Sequence, residues 1–291
     1  MWLLASLMLG GCSAVRIGYN QAPTLAWWWL DSYMDFDAEQ TPRVKEALNQ
    51  WFAWHRTTQL PDYANLLAAA QVQVLQPATP QQVCRWADEL RVRLAAAFAQ
   101  GVPMAADLLP GLKPEQLAHL EQRYRRSNRD FEEDYLQLDR DERQKAAVRR
   151  TIDRAEMLYG HLDERQRQLI AAGVAASPFD PAAWLAERQA VQADTLQTLS
   201  RLIAGGAARA DRDSNLAGLQ ALAARVQRAP PGPYRSYQQR LTEYNCALVA
   251  QLHNSTTPAQ RQAARGRLRA WEEDLRALAA QKAVPRGEAA L

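Results

Sequence analysis

Five segments of this chain share one grammar, and it dictates helices. They read Asp37-Ala38-Glu39-Gln40, Thr79-Pro80-Gln81-Gln82, Lys113-Pro114-Glu115-Gln116, Asp163-Glu164-Arg165-Gln166 and Thr257-Pro258-Ala259-Gln260. In four of the five, a Thr or Asp can accept from the amide three residues on, and the glutamine there can reach back to the cap. Lys113 is the exception, because an ammonium cannot accept. Proline at the first helical position loses no useful hydrogen bond and presets the backbone angle. Asp180-Pro181 marks a further start ahead of Trp184.

Between these starts the apolar residues recur every three or four positions. Val44, Leu48, Trp51 and Phe52 form one such stripe, and Tyr63, Leu66, Leu67, Ala70 and Val74 form the next. Leu117, Leu120, Tyr124, Phe131, Tyr135 and Leu138 continue over several turns. Leu241, Tyr244, Leu248 and Leu252 do likewise, as do Leu268, Trp271, Leu275 and Leu278. No run of alternating β-branched residues competes, and the wealth of Ala, Leu, Gln, Arg and Glu favours helix throughout. The expectation is an all-α chain, an elongated multi-helix bundle or array of about nine or ten helices. Breaks are expected at 76–79, 101–113, 173–181, 204–215 and 229–233. No exact repeat period argues for a helical solenoid.

The N-terminus carries a second, separate signal. Residues 2–9 are apolar over about eight positions, the length of a signal-peptide core and too short to span a bilayer. Leu9-Gly10-Gly11-Cys12 then resembles a bacterial lipobox, in which cleavage precedes the cysteine and its sulfur is diacylated. No Lys or Arg precedes the apolar run, so either the initiator amine supplies the charge or translation starts a few codons earlier. Ser13 follows the cysteine where aspartate would retain the protein at the inner membrane, which favours the outer membrane. The expected organisation is a lipoprotein signal peptide at 1–11, a lipid-attachment and aromatic/acidic tether at 12–40, and a helical domain at 41–291. A division into two lobes is left open near 204–215. The alternative is a cytosolic chain with an apolar first helix and an incidental Cys12.

Only 3 Cys occur among 291 residues, which excludes a disulfide-dense scaffold or a cysteine-built zinc cluster. With Cys12 given to lipid, Cys84 and Cys246 are left in an oxidising compartment, either bridged across a very long loop or buried as free thiols. The net charge of +3 excludes a polyanion binder held by bulk electrostatics. Clusters at 123–126, 149–150 and 265–269 are interleaved with acidic residues and read as solvated helix faces, so nucleic acid is not an expected partner.

A search for chemistry finds little. There is no G-x-S-x-G elbow, phosphate loop or H-E-x-x-H. His55, His119, His161 and His253 show no ligand spacing, so no metal and no cofactor is expected, and His55 reads as a hydrogen-bonded core histidine. The richest segment is the tether itself, where Trp27, Trp28 and Trp29 precede Asp31, Tyr33, Asp35 and Asp37. On a helix Asp31 and Asp35 would share a face. Paired carboxylates beside stacking aromatics suit a peptidoglycan- or glycan-acting site with one acid protonated and one ionised. The plainer reading has the aromatics, with Tyr33, form a packing or interaction surface near lipid headgroups, while the aspartates cap helices.

Several stretches carry a family resemblance. They are 9–20 with its lipobox, 28–37 (WWLDSYMDFD), Trp54-His55-Arg56, Leu60-Pro61-Asp62-Tyr63 and 252–261 (LHNSTTPAQR). They resemble an uncharacterised family of Gram-negative lipoproteins, which implies export and lipid anchoring but no activity. Leu112-Lys113-Pro114-Glu115-Gln116 and Leu162-Asp163-Glu164-Arg165-Gln166 are also similar to the L-T-x-x-Q repeats of periplasmic helical stress chaperones, with Lys and Asp in place of the threonine. The resulting expectation is a non-enzymatic lipoprotein of the outer membrane's periplasmic face. It would bind, scaffold or chaperone an envelope protein or cell-wall partner, and the membrane would be reached through Cys12.

Overall fold

The computed structural model describes residues 14–136, 139–204 and 212–281. The signal segment 1–11, Cys12, Leu138 and most of the 204–215 break therefore lie outside the described residues. Among those described there are eleven α-helices and no strand. They are α1 (Ala14–Met34), α2 (Gln40–Trp54), α3 (Leu60–Gln73), α4 (Pro80–Leu108), α5 (Pro114–Tyr135), α6 (Arg140–Tyr159), α7 (Glu164–Ala175), α8 (Pro181–Ala204), α9 (Arg212–Gln227), α10 (Pro233–Ser255) and α11 (Pro258–Ala280).

The caps form as their letters require. Thr79, Asp163 and Thr257 each accept from the glutamine amide three residues on, and each glutamine side chain takes the cap's own N–H. Asp37 and Gln40 do the same. At Lys113 only the return half exists, Lys113 N donating to Gln116 Oε1 at 3.0 Å. Asp139 and Asp180 cap α6 and α8 through Oδ1.

Two breaks fall elsewhere than the sequence places them. Helix α4 runs through Gly101 and Pro103 to Leu108. Packing outweighs the missing proline N–H, because Val102, Ala106 and Leu109 are clamped against Leu219, Leu222 and Ala223 of α9. Conversely, the stripe drawn from Leu117 to Leu138 stops at Tyr135, and α6 starts afresh from Asp139.

The chain visits each of two lobes three times, leaving two helices, or one helix and half of the long α4, there at every visit. One lobe is a ring in the order α1, α2, the C-terminal half of α4, α9, α8, α5 and back to α1. The other runs through α3, α11, α6, α7, α10 and the N-terminal half of α4. Helices α8 and α9, which flank the 204–215 break, pack on each other in the first lobe. Helix α4, at 29 residues about 43 Å long, traverses both. By length and composition it could cross a bilayer, yet its ends are packed into the two lobes.

The cap glutamines also tie neighbouring turns together. In the first lobe Gln40 and Gln116 exchange amide hydrogen bonds at 2.9 Å in both directions. In the second, Gln166 and Gln260 do so at 2.8 and 2.9 Å. Gln166 is buried, and its Nε2 also reaches Ser255 O. Helices α7 and α10 meet at Gly173, where an added Cβ would lie 2.3 Å from Leu248 Cδ1. The Tyr244 hydroxyl bonds Gly173 O at that same crossing.

Candidate functional site

Helix α1 contains the aromatic segment. Trp27 stacks on Phe36 with Lys45 Nζ over its ring, and Tyr33 lies against Trp29 and Tyr124 with the Arg123 guanidinium over it. Trp28 and Trp29 are 62% and 58% exposed, and no residue of α1 is fully buried. The segment set apart in the sequence as a tether is therefore a helix seated on α2, α5 and α11, with its other side open.

The three aspartates do not converge on a common cavity. Asp31 Oδ1 accepts from Phe36 N at 3.2 Å. Asp35 lies beyond the last turn with φ 51°, the left-handed conformation that ends helices and that Asp tolerates. It is thus not stacked on the face of Asp31. Asp37 caps α2 and pairs with Lys113 Nζ at 2.7 Å. The hydrogen bond from Lys113, with the Gln40 amide, holds its carboxyl below the usual range. A cavity of about 550 Å³ lies in the other lobe, between α6 and α7, lined by Lys145, Arg149, Asp153 and Arg167 among others. No group of His, Cys, Asp and Glu with metal-binding geometry occurs among the described residues.

Between the lobes, α2 passes into α3 through a single π turn, His55–Gln59, a local widening that often accompanies function. His55 sits at the turn, stacked on Trp51 with centroids 4.8 Å apart and edge-on to Tyr63. The Tyr19 hydroxyl lies 2.8 Å from its Nδ1. Burial pushes the Tyr19 phenol up to about 12 and the His55 imidazole down to about 4. Taking the protonated phenol as donor places the imidazole hydrogen on Nε2.

A pH dependence follows. The unfolded chain takes up a proton on His55 near pH 6.5, and the folded chain does so only near 4, so stability is lost as pH falls across that window. The loss expected is about 1–2 kcal/mol after allowing for partial solvent exposure. Denaturant midpoints for the parent and His55→Gln at pH 7 and pH 4.5 measure it. Parallel pH dependences in the two chains would refute the assignment.

The feature that sequence reasoning missed is on α4. Val83, Trp86, Leu90, Leu94, Ala97 and Gly101 follow each other by three or four residues and lie along one stripe. Its two ends are covered, Val83 by α10 and Ala97 by Trp51 of α2, each at 8% exposure. Its middle is bare, with Leu90 and Leu94 at 48% and 56% and Phe98 exposed alongside. The spacing was legible, but which part lacks a partner depends on where α10 and α2 cross α4. The covered N-terminal end is stapled by Cys84–Cys246, whose Cα atoms are 5.4 Å apart.

These features define a class: an all-α protein of two interleaved helical lobes with exposed apolar helix faces. Residues 32–213 match a family described as "Family of unknown function (DUF6279)", and the chain belongs to that family. No curated protein and no solved structure matches the chain.

Proposed function

We propose that this is a lipid-anchored envelope protein of the outer membrane's periplasmic face. It is held there by Cys12 and binds apolar protein segments without catalysing a reaction. The observation that carries the binding role is the bare middle of the α4 stripe. Water-exposed Leu90, Leu94 and Phe98 continue a seam that is buried at both ends, so a short apolar helix or strand would complete it. The anchoring rests on the lipobox spacing before Cys12. The likeness to L-T-x-x-Q chaperones is compatible with such a role, although Gln116 and Gln166 serve here as caps and ties between turns. The glycan-enzyme alternative has no supporting geometry, since Asp31 and Asp37 are occupied by backbone amides.

The test is suppression of aggregation of a reduced, unfolded client such as α-lactalbumin at equimolar ratio. The parent chain should suppress it, and a Leu90→Lys/Leu94→Glu variant with an unchanged melting temperature should not. Absence of suppression by the parent would overturn the binding role. Anchoring is tested separately by palmitate labelling, which should be lost in Cys12→Ser.

A further inference from the structure

The outward face of α1 has a composition unlike that of an ordinary solvent-facing helix. Ile17, Gln21, Leu25, Trp28, Trp29 and Ser32 are spaced by three and four residues, with the two tryptophans sharing one step, and they occupy one side over about 23 Å. No charged residue lies on that side. Arg16 turns away to Asp274 at 3.2 Å, and Asp31 is engaged by Phe36 N. Ile17, Leu25, Trp28 and Trp29 are all more than half exposed. A surface helix of a protein surrounded only by water normally places its charges there.

We propose that this face lies flat in the headgroup region of a lipid bilayer. Three observations select lipid as the occupant. The helix begins at Ala14, two residues after Cys12, so a lipid-held chain delivers this face to the bilayer surface before any other part of the fold. Two adjacent tryptophans lie near the end of the stripe, and indole rings favour the boundary between acyl chains and headgroups. Cations flank it on both sides: Lys45 over Trp27 on the α2 side and Arg123 over Tyr33 on the α5 side, where long side chains can reach lipid phosphates. A charge-free apolar face between cationic edges matches a membrane surface. With α1 flat on the leaflet, the fold is held against the bilayer and does not swing on a tether.

This rests on the proposed function only for the anchor at Cys12, and the experiment separates the two. The acylated full chain is reconstituted on vesicles of phosphatidylethanolamine and phosphatidylglycerol carrying brominated acyl chains, and tryptophan quenching is recorded. Quenching is expected in the parent and lost in Trp28→Phe/Trp29→Phe, with the melting temperature unchanged. An acylated, vesicle-bound parent without quenching would overturn the docking and leave the anchor standing. Quenching that persists in a Cys12→Ser chain would uphold the docking and show that the face holds the bilayer without the lipid. A dimer in sedimentation that the double variant abolishes, without quenching, would also overturn it by assigning the face to a second copy.

Discussion

Reducing the Cys84–Cys246 bridge is expected to lower the melting temperature by roughly 10–20 °C. The bridge closes a loop across a sequence separation of 162 residues, and in the chain-entropy account a loop of that size is worth about 5 kcal/mol. That is a large share of the ~5–15 kcal/mol stability of a typical domain. The location adds to the effect. The bond fastens the N-terminal half of α4 to α10, and Ala78, Val83 and Ala250 pack around it. Melting curves with and without reductant, and for Cys84→Ser, measure the shift. A change of under about 2 °C would mean that the surrounding apolar cluster holds the helices unaided.

The second large effect is expected at Gln166, whose replacement by alanine should cost about 3 kcal/mol. One side chain there closes the α7 capping box, bonds Ser255 O and exchanges amide hydrogen bonds with Gln260. Truncation removes all three and leaves a small void in a fully buried site. Gln82→Ala provides the internal comparison: Gln82 also closes a capping box but ties to no second turn, so about 1 kcal/mol is expected. Urea denaturation of the two variants and of Gln166→Ala/Gln260→Ala measures both numbers and the coupling between the glutamines. Equal losses at Gln82 and Gln166 would show that the tie between turns adds nothing.

The all-α class and most helix starts were legible because they are local properties. A cap needs only its own four residues, and Thr79, Asp163 and Thr257 all behave as their letters require. What was illegible is long-range. Nothing near Gln40 announces Gln116, 76 residues away. Nothing near Leu90 says that its neighbours on the stripe are covered and it is not. Pro103 misled for the opposite reason: local chemistry argues for a break, and packing against α9 overrides it. The candidate site was half visible. Trp28, Trp29 and the aspartates stood out by composition, but the last turn of α1, which turns Asp35 off the helical face, is set by contacts with the 109–116 turn. There Gln116 Nε2 donates to both Met34 O and Asp35 O.

The alternation of the chain between the two lobes bears on how it comes into being. A ribosome delivers residues in order, but neither lobe can close in that order. The ring that begins with α1 waits for α9, and the lobe that begins with α3 waits for α11. Helix α3, packed most extensively on α11, stays without its main partner until α11 has been made. Closing either lobe therefore depends on contacts distant in sequence, whose loop-closure entropy must be met before they form. Neither lobe is a fragment that cloning could excise, and a truncation before α11 deprives the earliest-made helices of their partner.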